Sequence, residues 1–181
     1  MTDGHVDTAD ESASLLAPAP SRRGGRLRVT LLIAAVVVAM DQLTKHWVLN
    51  ALSGKPPRHV VWTLQWNLSR NSGMAFSKGQ GIGPIIGLLA IVVVVIILRS
   101  VRGNASTLVA VAAGLVLGGA VGNVCDRLFR GSGWLHGSVI DWIDFLWFPI
   151  FNVADMGVDI GGALFVIWAV FSGRRPTAVA T

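Results

Sequence analysis

The chain is short of most residues that soluble enzymes use for chemistry. It has one cysteine, Cys125, so no internal disulfide framework can form. Its four histidines, at positions 5, 46, 59 and 136, are scattered and match no zinc pattern such as two His four apart with a Glu. No metal and no cofactor is therefore expected. Acid is scarce as well: Asp and Glu together number 10, and no Glu follows Glu11. Only 14% of residues are charged, and the runs Ile82 to Leu98 and Thr107 to Cys125 carry no charge. There is no internal repeat, which argues against a large transporter built from inverted halves. The net charge of +5 is not gathered into a basic stripe interleaved with aromatics, so nucleic acid is not an expected partner.

What is present is apolar sequence. At 52% apolar residues and a mean hydropathy of +0.61, the chain reads as one small membrane domain. Val29 to Leu49, Ile82 to Leu98, Thr107 to Cys125 and Val153 to Phe171 form four candidate spans. Each has about 17–21 residues, enough for a helix to cross roughly 30 Å of hydrocarbon. Arg22, Arg23, Arg26 and Arg28 precede the first span, Arg99 and Arg102 follow the second, and Arg174 and Arg175 follow the fourth. The positive-inside rule puts both termini and the 99–106 link in the cytoplasm, with loops 50–81 and 126–152 outside. Residues 1–25 mix Asp, Ser, Ala and Pro without periodicity and read as a disordered cytoplasmic tail. Residues 26–173 then form the membrane-embedded domain, and 174–181 a short cytoplasmic tail. Ser21-Arg22-Arg23 also invites a twin-arginine or secretory signal. No convincing small-residue cleavage site follows, so the first span is read as an uncleaved helix.

The few polar residues are placed conspicuously. A charge at membrane depth costs roughly 2.5–3.5 kcal/mol on insertion scales, yet five of the six aspartates beyond the tail lie within or beside apolar segments. Asp41 and Lys45 share a helix face at the end of span one and can pair, either as an interfacial ion pair or as a charge that orients substrate. In span three Gly114, Gly118 and Gly122 recur every four residues. No Lys-Ser/Thr ending suits them to phosphate, and close helix packing explains them. Asn123 and Arg127 follow on one face, with Asp126 beside them and expected to hold Arg127. Cys125, on an apolar helix next to Asp126, reads as buried and structural. Trp62 to Leu68 alternates apolar and polar residues as a half-buried strand does, although its tryptophans also suit interfacial anchors. Val139 to Phe145 reads as a strand or an interfacial segment. Asn152, Asp155 and Asp159 form a stripe at the start of span four.

Fourteen residues separate Asp141 from Asp155, which permits the chain to bring the two carboxylates together. Such a pair in a low-dielectric site would share one proton. One member could then deprotonate water while the other protonates a carbonyl oxygen. Two other classes compete. A proton-coupled carrier also places Asp and Arg between helices, but needs polar groups along a path open to both sides. A non-catalytic lipid-binding or assembly protein would tolerate loss of one carboxylate.

Five ordered motifs between about Arg26 and Phe171 give the chain a family resemblance. They are Asp41-Gln42-Leu43-Thr44-Lys45, Asn71-Ser72-Gly73-Met74-Ala75-Phe76, Gly118 to Arg127, Val139-Ile140-Asp141-Trp142 and Phe151-Asn152-Val153-Ala154-Asp155. The set resembles the lipoprotein, or type II, signal peptidases. The resemblance implies an aspartic endopeptidase that removes the signal peptide of a bacterial prolipoprotein, cleaving before a diacylglyceryl-modified cysteine. It implies Asp141 and Asp155 as the catalytic dyad. Asp41, Lys45, Asn71, Asn123, Asp126, Arg127 and Asn152 would support the dyad or bind substrate. The implied fold is all-α, a four-transmembrane-helix bundle with a small extracytoplasmic β-sheet. Its partners would be lipidated prolipoproteins and membrane lipid, and it would act as a monomer in the bacterial inner membrane with the site on the outer face. Trp142 stands where the family usually has Phe, and Met156 where it usually has Ser.

Overall fold

The computed structural model describes residues 23–73, 83–100 and 106–172. Four helices and three strands occur among them. The N-terminal tail falls almost wholly outside these residues, as do Met74 to Phe76, Arg102 and the C-terminal tail. Helix α1 runs Arg23–Leu52, α2 Gly83–Ser100, α3 Thr107–Phe129 and α4 Val153–Ser172. Helices α1, α3 and α4 each contain one of the apolar runs and end one to four residues beyond it, and α2 covers the fourth run from Gly83. In α1, α3 and α4 the apolar stretch is long enough to cross a membrane, and α2 is a shorter apolar helix.

The centre of the bundle is α3, which touches the other three helices. It is buried almost all round by small residues, among them Ala110, Ala113, Gly114, Gly118 and Gly119. A Cβ at Gly118 would lie 2.6 Å from the Val37 Cβ and 2.8 Å from the Ala34 carbonyl oxygen. One at Gly119 would meet the Ala154 carbonyl oxygen. The glycine spacing is therefore a packing device that lets α1 and α4 approach from two sides. Thr30 adds an interhelical bond from its hydroxyl to the Ala110 carbonyl, at 2.9 Å. The outer faces present Leu32, Val36 and Leu43 of α1, Leu89 and Ile96 of α2, and Val166 and Phe171 of α4. That apolar surface suits lipid contact.

At one end of the bundle lies an antiparallel sheet of β1 (Arg58–Val61), β2 (Leu64–Asn71) and β3 (Val139–Asp144), in that order. The alternating stretch expected from Trp62 is a strand only from Leu64. Trp62 itself turns the hairpin with φ 55° and stands exposed, in keeping with an interfacial anchor. The Val139 to Phe145 segment is a strand as far as Asp144, buried along that whole length. Val48 and Leu52 of α1 pack on Ile140, Trp142 and Ile143. Trp47, Trp66 and Trp142 meet ring to ring at 5.0–6.2 Å, so the Trp142 side chain belongs to the contact that seats the sheet on α1.

Candidate active site

A buried ammonium organises the site. Lys45, fully buried, lies 2.8 Å from Asp41 and 2.9 Å from Asp126, both also fully buried. It donates a third bond to the Asn123 Oδ1 at 3.0 Å. Arg130 closes the cluster with its Nε 2.6 Å from Asp126. Two cations thus face two anions, the condition under which buried charge is tolerated. The sequence pairing of Asp41 with Lys45 holds, but as a buried pair and not an interfacial one.

Each of the two aspartates in this cluster has a second task. Asp126 Oδ2 accepts the Ile140 N–H at 3.1 Å, and Asp41 Oδ1 accepts the Ala154 N–H at 3.0 Å. Ile140 and Ala154 immediately precede Asp141 and Asp155. Charged hydrogen bonds from the helices therefore hold the backbone one residue before each of these two carboxylates.

Asn152 joins the two carboxylates. Its Nδ2 donates to Asp141 Oδ1 at 2.6 Å. Its Oδ1 accepts the Asp155 N–H at 3.0 Å, while Asp155 Oδ2 accepts the Asn152 N–H at 3.1 Å. That reciprocal pair is a capping box at the start of α4, and it fixes the Asp155 side chain relative to its own helix. Asn123 Nδ2 donates to Asp155 Oδ1 at 2.8 Å. Lys45 can only donate, so it sets the Asn123 amide with oxygen inward and nitrogen toward Asp155. Asn71, at the end of β2, donates to Asp141 Oδ2 at 3.1 Å, and the register that pairs Ser69 with Asp141 brings it there. All nine residues singled out in the sequence meet in this one region. Burial, then the neighbouring Asp155 charge, push the Asp141 carboxyl up to about 7, against the pull of Asn71 and Asn152.

The expectation that Asp126 holds Arg127 is overturned. Asp126 is engaged by Lys45, Arg130 and the Gln42 amide, which lies 3.2 Å away. Arg127 makes two long bonds instead, at 3.4 Å to the Asn123 and Gly73 carbonyls. Among the described residues its buried Nε has no partner. Successive helical residues point about 100° apart, so Asp126 reaches Arg130 at i+4 and not its neighbour. Arg130 and Gln42 are the functional residues the sequence reading missed, although the Asp126/Arg130 spacing was there to be read. Cys125 is half-buried, less enclosed than expected.

Asp141, Asp155, Asn123 and Arg127 open onto a cleft of about 610 Å³ whose other walls are apolar faces of α2, α3 and α4 and the turn Phe148 to Phe151. Asp159, one turn beyond Asp155, also lines it. A paired carboxylate set with access to water and an apolar trough beside it suits hydrolysis of a bond in a lipophilic substrate. Among the described residues, no group of three or more His, Cys, Asp or Glu is placed to hold a metal.

The family model described as signal peptidase (SPase) II matches residues 33–171. A lipoprotein signal peptidase of Mycobacterium tuberculosis (strain ATCC 25618 / H37Rv) is 43% identical over 166 residues, 88% of this chain and 81% of that protein. One from Rhodococcus jostii (strain RHA1) is 38% identical over 170 residues, 92% of this chain and 84% of that one. A solved bacterial membrane enzyme is similar in structure, with a TM-score of 0.69 at 28% identity, covering 83% of this chain and 94% of its own.

Proposed function

The chain belongs to the signal peptidase II family and removes signal peptides from prolipoproteins as an aspartic peptidase, and we propose that Asp141 and Asp155 are its catalytic dyad. The observation that carries this reading is the bridging Asn152, hydrogen-bonded to both carboxylates at the mouth of the apolar cleft.

Asp141, its carboxyl pushed up to about 7, is assigned the shared proton, and Asp155 is the base. Asp155 takes a proton from water as the water oxygen bonds to the scissile carbonyl carbon. Asp141 gives its proton to the carbonyl oxygen. As the tetrahedral intermediate collapses, Asp155 passes its proton to the leaving nitrogen and the C–N bond breaks. Asp141 recovers a proton from the hydroxyl, which restores the dyad. Asn71, Asn123 and Asn152 aim the carboxylates, and Lys45, Asp41 and Asp126 hold the backbone beneath them. Arg127, with no carboxylate partner among the described residues, offers its spare donors to a substrate carbonyl or lipid phosphate. The peptide bond cleaved precedes a diacylglyceryl-modified cysteine, whose chains suit the apolar trough.

The finer architecture belongs to the same proposal. Counting α2 with the three longer helices gives a four-span bundle, a reading supported by its uncharged, outward-facing Ile85, Leu88, Val92 and Ile96. Residues 26–173 form the peptidase domain, with 1–25 and 174–181 as cytoplasmic tails. The hydrogen bonds described around the two carboxylates are made within this chain, and the proposed working form is a monomer among membrane lipids. Its site faces outward. The carrier alternative is not favoured, since the polar residues gather at one end of the bundle.

The test is incubation of the purified protein with a diacylglyceryl-modified prolipoprotein. Wild type should release the shortened lipoprotein. Asp141→Asn and Asp155→Asn should insert and purify normally but release none, and the double variant should be no worse than either. Near-normal turnover by either single variant would sink the dyad.

A further inference from the structure

Asp144 is a buried carboxylate with no part in the chemistry described so far. It ends β3, is 5% exposed, and has no Lys, Arg or His partner among the described residues. Its Oδ2 accepts the Gln65 amide at 2.7 Å and the Asn67 amide at 2.8 Å, both from β2. Its Oδ1 accepts the Leu146 backbone N–H at 2.7 Å. Burial raises the Asp144 carboxyl, and these three donors outweigh it, leaving it below the ordinary carboxylate range.

What Asp144 grips is a turn of unusual shape. Leu146 sits at φ 68°, a left-handed conformation that a branched aliphatic residue adopts only when its surroundings impose it. Trp147 N–H closes back on the Phe145 carbonyl at 2.8 Å. Seven residues after Asp144 the chain returns, and Phe151 exchanges backbone bonds with Ile143 at 2.9 and 3.1 Å. Phe145 stacks on Phe151 at 6.0 Å, and Phe148 meets Phe151 edge-on at 5.7 Å. Phe148 to Phe151 form a wall of the cleft that holds Asp141 and Asp155. The Asp144 carboxylate is thus the side-chain tie between the sheet and the strained start of that wall.

We propose that Asp144 is a positioning residue for substrate, holding the Leu146 turn so that Phe148 and Phe151 grip the apolar part of the substrate beside the dyad. The inference rests on the reading that prolipoprotein is cleaved in this cleft. It separates binding from chemistry, because the wall touches substrate while the carboxylates of the dyad keep their own partners.

The experiment measures cleavage of a diacylglyceryl-modified prolipoprotein against concentration for Asp144→Ala, Asp144→Asn and Asn67→Ala. Asp144→Ala should raise KM about tenfold, the size expected from losing a charged hydrogen-bond set, and change kcat less than about twofold. Asn67→Ala removes one donor and should raise KM by a smaller factor. Asp144→Asn should be near wild type, since Oδ1 still accepts Leu146 N–H and the Gln65 and Asn67 amides can turn their oxygens toward the new NH2. If KM is unchanged in Asp144→Ala while its melting temperature drops, the residue is structural only and the proposal is overturned. Should Asp144→Ala not fold, an unchanged KM in Asn67→Ala overturns it equally. Asp141→Asn runs in parallel: activity there would fault the dyad reading and not this one.

Discussion

At the scale of residues, the site is a lesson in how buried charge is kept in place. Lys45 has no water to turn to, so its three acceptors, Asp41, Asp126 and Asn123, must all be present. Removing one member of such a cluster leaves an uncompensated buried charge, which typically costs about 3–5 kcal/mol. The dyad itself is less neutralised, and Asp141 shows the consequence. Its carboxyl is pushed from 3.8 to about 7, first by burial and then by Asp155. An acid that must donate its proton loses function as pH rises through that value, so cleavage should fall on the alkaline side of about pH 7. The sign for stability is the same. A folded pKa above the unfolded one contributes stability that is fully present below about pH 4 and lost as pH rises through about 7. Asp141→Asn removes that loss, so its melting temperature should exceed that of wild type most clearly at about pH 8. A pH–rate profile and melting curves for both proteins check the pair of expectations, with the apparent values belonging to the coupled carboxylates and not to one residue. The charged residues that meet around the cleft stood out in the sequence because intramembrane charge is costly and therefore sparse, whereas Asn71, uncharged and in a loop-like stretch, stood out only through the family resemblance. Their pairing was less legible. Asp126 is followed by two arginines, Arg127 and Arg130, and only the helix geometry selects Arg130 and leaves Arg127 facing the cleft.

At the scale of elements, helices were easier to read than strands, for a physical reason. A span must satisfy its backbone internally and present apolar side chains throughout, so α3 and α4 begin at the residues where the apolar runs begin. A strand is stabilised by partners distant in sequence. The irregular register between Trp66 and Ser69, and the start of β2 two residues later than its alternation suggests, depend on β3 and could not be read locally. The glycine spacing of α3 was legible, and its use is now specific. Gly119 faces the Ala154 carbonyl, one residue before Asp155, and Asp41 holds the N–H of that same Ala154. Gly119→Ala would force α3 and α4 apart where backbone meets backbone, with no flexible side chain to yield. The expected result is a lower melting temperature in detergent together with at least about a tenfold loss of kcat, since a displacement near 1 Å at reacting groups costs on the order of a hundredfold. Gly162→Ala, with open space around the new methyl, is the control and should match wild type in both measurements.

At the scale of the whole molecule, the design is a division between ends. Asp41, Lys45, Asp126 and Arg127 lie toward the C-terminal ends of α1 and α3, Asp155 lies at the N-terminal end of α4, and the sheet covers the same end. Arg23, Arg26 and Arg28 at the start of α1 and Arg99 near the end of α2 belong to the opposite end, and in the sequence Arg174 and Arg175 follow α4. Positive charge close to span ends is retained in the cytoplasm, so the two ends should face opposite sides of the membrane, with the dyad outward. That orientation needs an even number of crossings. If α2 does not cross, the chain has three spans, and its termini cannot share a side. Reporter fusions distinguish the cases. An alkaline phosphatase domain, active only when exported, should be inactive after Thr181 and inactive within 101–105, but active within the 53–57 turn. A cytoplasm-active reporter at the same points should give the mirror pattern. An exported C-terminus with an exported 53–57 turn would show three crossings and remove α2 from the spans. It would also put Asp126 across the membrane from Lys45, against the 2.9 Å pairing of the two, because α1 and α3 run parallel only if the chain between them crosses back; the bundle that builds the cleft would be overturned with the span count.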